Sequence, residues 1–120
     1  MKTENVLLTK SYAFAIRIVN LYKFLYQDKR DVVISRQILR SGTSIGANAE
    51  EAVGAQSRKD FISKLSIAYK EARETYYWLR LLRDTNFISQ EQATSLLIDC
   101  EEVLKITGSI LKTTKEKTGT

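Results

Sequence analysis

The chain has no histidine and no proline, and only one cysteine and five glycines among its 120 residues. Each scarcity removes a class of chemistry or structure. Without histidine there is no imidazole base, no His-paired Ser or Cys nucleophile, and no His-containing zinc or di-iron set. A di-iron centre in a helical bundle needs Glu-x-x-His pairs, whereas Glu71-Ala-Arg-Glu74 supplies carboxylates alone. No glycine-rich loop ends in Gly-Lys-Ser/Thr, so phosphate-loop nucleotide hydrolysis has no support. The expectation is a protein with no catalytic residues, no metal and no cofactor.

The lone Cys100 has no intramolecular partner for a disulfide, and the segment Met1–Lys10 lacks the apolar core of a signal peptide. A reducing cytoplasm is the expected location. Arg17 and Lys23 interrupt the most hydrophobic region, so no apolar run approaches the roughly 18 residues that span a bilayer. No membrane partner is expected.

What remains is 43% hydrophobic, 28% charged, and rich in Leu, Ala, Glu, Lys and Arg. With no proline to break them, such residues favour long helices. An all-α fold in one domain, residues 1–120, is expected, with enough chain to bury about two-thirds of its unfolded surface. The net charge of +5 favours an anionic partner, though it falls well short of a histone-like excess.

A first helix is patterned with Leu7, Phe14, Ile18, Leu21 and Leu25 on one face and Leu8, Tyr12, Ala15, Val19, Tyr22 and Tyr26 on the face beside it. So wide a stripe fits either a deeply packed helix or one whose second face meets another subunit. Asp28 to Asp31 reads as a polar connection. A second helix runs from about Val33 to Gly54. The third starts after Ser57, a capping residue with Asp60 three positions on, and continues to about Asp84 with Phe61, Leu65, Ala68, Ala72, Leu79 and Leu82 inward. After a turn at Asn86–Ser89, capped through Ser89 and Gln92, the last helix turns Ala93, Leu97, Cys100, Leu104 and Leu111 inward. Its apolar period is lost from Lys112, so the tail from about residue 113 is expected to fray. Four helices with short connections predict an antiparallel up-and-down bundle.

Arg40 to Glu51 is helix-patterned yet built largely from small and polar residues, which implies that another element sits very close to it. The four-residue spacing of Gly42 and Gly46 suits close backbone approach better than phosphate binding. Ser41, Ser44, Asn48 and Glu51 follow one line of this helix, with Arg40 beside it. Glu71 and Glu74 share a stripe with Ile67 and Trp78 at the margin of the core. An interhelical polar network of Arg40, Ser44, Asn48, Glu71 and Glu74 is expected to set helix register. A magnesium or manganese site on Glu71 and Glu74 is the less favoured alternative.

The third helix also carries an outer line of Ile62, Tyr69, Arg73, Tyr76, Arg80 and Arg83. Basic groups interleaved with aromatics suit phosphate contact and base stacking. They suit a subunit or partner interface equally, and a solvated face is the bland reading. Lys10, Arg17 and the run Lys23 to Arg30, with Arg36 and Arg40, form a second basic candidate. Cys100, on the apolar line with Leu97 and Leu104, is expected to be a buried, inert thiol.

Together these blocks resemble the proteins encoded by intervening sequences of bacterial 23S ribosomal RNA genes. The resemblance rests on Arg40, Ser41, Gly42, Ser44, Ile45, Gly46, Asn48 and Glu51 in the second helix. In the third it rests on Asp60, Phe61, Leu65, Ile67, Ala68, Glu71, Glu74, Trp78 and Leu82. Two departures are Ala49-Glu50-Glu51-Ala52, where relatives carry an aliphatic residue before the Glu, and Tyr69-Lys70, at a pair that is often small. The resemblance implies a four-helix bundle assembled into a homopentameric ring and associated with nucleic acid. A related branch serves diversity-generating retroelements, which adds a reverse transcriptase to the implied partners beside RNA or DNA.

Overall fold

Uninterrupted by proline, the chain forms four helices: α1 (Lys2–Gln27), α2 (Val33–Val53), α3 (Arg58–Asp84) and α4 (Gln90–Thr118). The computed structural model describes residues 2–118. The helix ends have local causes. Ser57 accepts the backbone N–H of Asp60 at 3.0 Å to open α3. Ser89 and Gln92 cap α4 reciprocally, Gln92 N–H to Ser89 Oγ at 3.1 Å and Ser89 N–H to Gln92 Oε1 at 2.9 Å. Asp31 opens α2 by accepting the N–H of Ser35 at 2.7 Å.

Asn86 closes α3 in the left-handed region with φ 66°, which lets Phe87 N–H reach Leu82 O and Asn86 N–H reach Arg83 O. That is a Schellman ending on asparagine, a residue that tolerates this conformation. Gly54 follows α2 as expected from the sequence, but its φ of −87° is ordinary, so no left-handed glycine is used there.

Each helix packs on two neighbours in the ring order α1, α2, α3, α4, and among the described residues the backbones of diagonal helices stay more than 8 Å apart while their side chains share one core. The neighbours run antiparallel. Arg17 pairs with Asp99 and Lys10 with Glu102, while Arg40 pairs with Glu71 and Glu51 with Lys64, one number rising as the other falls. The molecule measures 47 × 22 × 21 Å, close to the roughly 43 Å that a helix as long as α4 spans.

The core follows the apolar lines read in the sequence, with Leu7, Phe14, Ile18, Leu21 and Leu25 from α1 meeting Ile38, Ile45, Leu65, Leu79 and Leu82. Three details differ. Leu104 is half-buried at the margin of the core and Val103 takes the fully buried place in α4. Phe61 is also only half-buried, since it sits near an open end of the bundle. The tail expected to fray continues as helix to Thr118; Ile110 and Leu111 remain buried just before it, and Thr114 bonds back to Ile110 O. Gly119 and Thr120 lie outside the described residues.

The second face of the first helix is packed only in part within one chain, with Leu8, Ala15, Val19 and Tyr22 half-buried. Tyr12 is 67% exposed and Tyr26 45%, with Ile16 also exposed next to them. The close neighbour of the small-residue segment is α1: a methyl group placed on Gly42 meets Ile18 Cγ2 at 2.7 Å, and one on Gly46 meets Ser11 Oγ at 3.4 Å.

Candidate functional site

The seam between α2 and α3 is polar at its rim and at one point inside. Arg40 reaches across from α2 to Glu71 at 3.1 Å and forms a second, short contact with Glu74. Glu74 also accepts the indole N–H of Trp78 at 2.9 Å. That indole bond, more than the guanidinium, holds the Glu74 carboxyl below the usual carboxylate range, and burial opposes the shift. Arg40 is raised in turn, first by its hydrogen bond to Glu74. The Arg40 side chain is 51% exposed but Glu71 only 19%, so the cluster lies at a water-facing rim.

Ser44 and Asn48 do not join it. Asn48 donates to Ser44 O and Ser44 Oγ, both at 2.9 Å, within α2 itself. An asparagine one turn below a serine closes a local hydrogen bond without reaching another helix, and sequence spacing alone does not separate the two outcomes. The inner polar bridge is instead Ser41 with Thr75. Both are buried, and Thr75 Oγ1 lies 2.8 Å from Ser41 Oγ and 2.8 Å from Glu71 O. Thr75 was missed by the sequence reading; the signal was its place three residues after Ala72 and four before Leu79 on the inward line. Trp78 was placed on the right stripe, but its role as a donor to Glu74 shows only in the structure.

On the outer face of α3, Arg73 and Arg80 are exposed, and no carboxylate stands within ion-pair distance of either among the described residues. The remaining members of the line behave differently. Arg83 is held by Asp84 at 2.7 Å, and that bond lowers the Asp84 carboxyl, with the charge of Arg80 a smaller contribution. Tyr69 and Tyr76 lean on the core, Tyr69 with its ring edge 3.4 Å from where Gly108 would carry a methyl. The aromatic available to solvent is Tyr77, 49% exposed and edge-on to Trp78 at 5.1 Å. It too was missed, because it lies off the Tyr/Arg line on the side away from α4.

The second basic candidate is neutralised only in part, since Lys23, Arg30 and Arg36 are exposed with no ion pair among the described residues. Arg17 donates to Asp99 at 2.6 Å and to Ser95, Lys10 pairs with Glu102 at 3.5 Å, and Arg40 belongs to the α2–α3 seam. Lys29 rides over the Phe24 ring at 5.8 Å.

Cys100 is buried and donates to Ala72 O at 3.4 Å; desolvation pushes its thiol up to about 12. Among the described residues no three His, Cys, Asp or Glu side chains are grouped to hold a metal ion. Among the same residues no helix is long and apolar enough to cross a membrane.

The geometry defines an antiparallel four-helix bundle in which Arg40, Glu71 and Glu74 join α2 to α3 at the rim and Ser41 and Thr75 join them inside. The family model described as 23S rRNA-intervening sequence protein matches residues 3–109, and the chain belongs to that family. It is similar to a crystal structure of a protein of unknown function from the S23 ribosomal protein family of Bacteroides thetaiotaomicron. The two are 57% identical, superpose with a TM-score of 0.90, and share 92% of this chain and 98% of that one. No curated protein matches.

Proposed function

We propose that this chain is a non-catalytic, oligomeric, cytoplasmic bundle that binds nucleic acid, RNA or DNA, through the outer face of α3. The observation that carries this reading is the contrast between Arg73 and Arg80, exposed and without acid partners among the described residues, and the cations at the helix seams, which are paired. The two arginines are seven residues apart on one helix, about 10 Å, so both can meet one strand's phosphates. Exposed Tyr77 beside them supplies a ring for stacking. Membership of a family tied to 23S ribosomal RNA genes supports the same reading.

Oligomerisation is supported by α1. Between Asn5 and Asn20 its only exposed charged residue is Lys10, which is paired across the α4 seam, while Tyr12 and Ile16 stand open. An exposed apolar face poor in charge is the composition of a subunit interface. A homopentameric ring is the assembly that the family resemblance implies.

A mobility-shift titration at low salt against structured RNA, single-stranded DNA and duplex DNA tests the binding. Binding is expected to be weakly selective for sequence, and affinity is expected to fall steeply with salt as counterions are released. Arg73→Glu with Arg80→Glu should weaken it and flatten the salt dependence while oligomer mass holds. A drop to monomer in that variant would assign the face to subunit contact instead. Unchanged nucleic-acid binding with loss of a protein partner, such as a reverse transcriptase, would make the chain a protein-interaction factor.

A further inference from the structure

At the end of the bundle where α1 begins and α4 finishes, a cleft of about 470 Å³ opens beside the α2–α3 turn. Its floor is apolar, made by half-buried Phe61 and buried Ile110. Its walls carry two cations from different helices, Arg58 of α3 and Lys117 of α4, with no ion-pair partner for either among the described residues. Glu4 of α1 also lines the cleft. The hydroxyls of Ser109 and Thr113 also line it, and neither is engaged in a hydrogen bond within the described residues. None of these groups belongs to the Tyr/Arg face or to the α2–α3 polar seam.

A pocket with an apolar floor and a few convergent polar groups is the usual form of a small-molecule site. The composition here selects among ligands. A purely apolar ligand would strand the cations, and a simple anion would leave the floor unused and sit against Glu4. A ligand with a flat ring, vicinal hydroxyls and a phosphate uses every part. Planar rings pack on Phe61, carboxylates accept sugar hydroxyls, and guanidinium and ammonium groups take phosphate oxygens.

We propose that this cleft binds a phosphorylated nucleoside, with its base on Phe61 and Ile110, its ribose hydroxyls at Glu4, and its phosphate between Arg58 and Lys117. The ligand is either a free mononucleotide or the phosphorylated terminal nucleotide of a strand. The site does not depend on nucleic-acid binding by α3, and the two readings fail independently.

The test is a calorimetric or NMR titration of the intact protein with AMP, adenosine and 2′-deoxy-AMP. AMP is expected to bind saturably with Kd of about 1 mM or tighter. Adenosine should bind roughly tenfold or more weakly, because two charge-assisted contacts are lost. Arg58→Gln with Lys117→Gln should bring AMP down to the adenosine level; both side chains are exposed, so the fold should be unaffected. Glu4→Gln should narrow the difference between AMP and 2′-deoxy-AMP, whereas Arg73→Glu with Arg80→Glu should leave AMP binding unchanged. A 5′-phosphorylated oligonucleotide that displaces AMP, where its 5′-hydroxyl counterpart does not, identifies the strand end as the source; displacement by neither identifies the free nucleotide. Absence of saturable AMP binding, or AMP affinity indifferent to Arg58→Gln with Lys117→Gln, would overturn the proposal.

Discussion

Gly42 of α2 lies so close to Ile18 of α1 that an added methyl carbon would stand 2.7 Å from Ile18 Cγ2 and 3.2 Å from Ile18 Cβ. Ile18 is fully buried, so its branched carbon has little room to retreat. Gly42→Ala should therefore destabilise the bundle by about 1–3 kcal/mol, the usual cost of overpacking. Gly46→Ala is the control. Its methyl would meet Ser11 Oγ at 3.4 Å, and the gain in helix propensity, about 1 kcal/mol, offsets that tightness. Urea titrations of both variants should separate them; equal stability of the two would refute the close-packing role of Gly42.

The Arg40 cluster should show coupling. Arg40→Ala removes the cation shared by Glu71 and Glu74, and at a half-exposed rim this should cost about 1–2 kcal/mol, below the 3–5 of a fully buried pair. Combining Arg40→Ala with Glu74→Gln should cost less than the sum of the single changes. An additive double-mutant cycle in thermal melts would show that the contact contributes nothing.

Acid should erase part of this stability, and the sign follows from Glu74. Its carboxyl is lowered in the folded state, chiefly by the Trp78 indole and next by Arg40. The associated stability is complete above the ordinary glutamate value of about 4.3 and is lost as pH falls through the lower folded value. Trp78→Phe should then be less stable than the parent at neutral pH, with a gap that narrows below about pH 4. A gap that stays constant to lower pH would assign the loss to packing alone.

The exposed face of α1 should hold subunits together. Tyr12→Glu with Ile16→Glu places charges where both side chains are open to solvent within one chain. Helix content by circular dichroism should be preserved, while native mass falls toward monomer. If the parent protein is already monomeric at micromolar concentration, the face has another use.

Cys100 should resist alkylation in the native state at pH 8. Its thiol is buried, bonded to Ala72 O, and raised to about 12. Full labelling should appear only in denaturant, and rapid native labelling would contradict the buried geometry.

Periodicity and caps were enough to place the helices. The apolar lines of α1 and α3, the Ser57 cap and the Ser89/Gln92 box depend on neighbours a few residues apart, and such local energetics are written in the order of residues. The small residues of α2 likewise announced a close neighbour. That the neighbour was α1, with Ile18 over Gly42, was decided by the packing of two segments far apart in the chain.

The same division runs through the candidate sites. Residue types alone placed Arg40 and Glu74 near each other, and Arg73 and Arg80 on an outer face. Asn48 closed locally on Ser44 within α2, while helix rotation, a property of the assembled core, buried Thr75 against Ser41. Acids on another helix settled which seam cations are held: Asp99 and Glu102 of α4 occupy Arg17 and Lys10, while no carboxylate stands within ion-pair distance of Arg73 or Arg80 among the described residues. Sequence order determined the elements and the faces they offer. Only the tertiary structure decided which faces meet, because contacts between helices depend on register and rotation that no local pattern specifies.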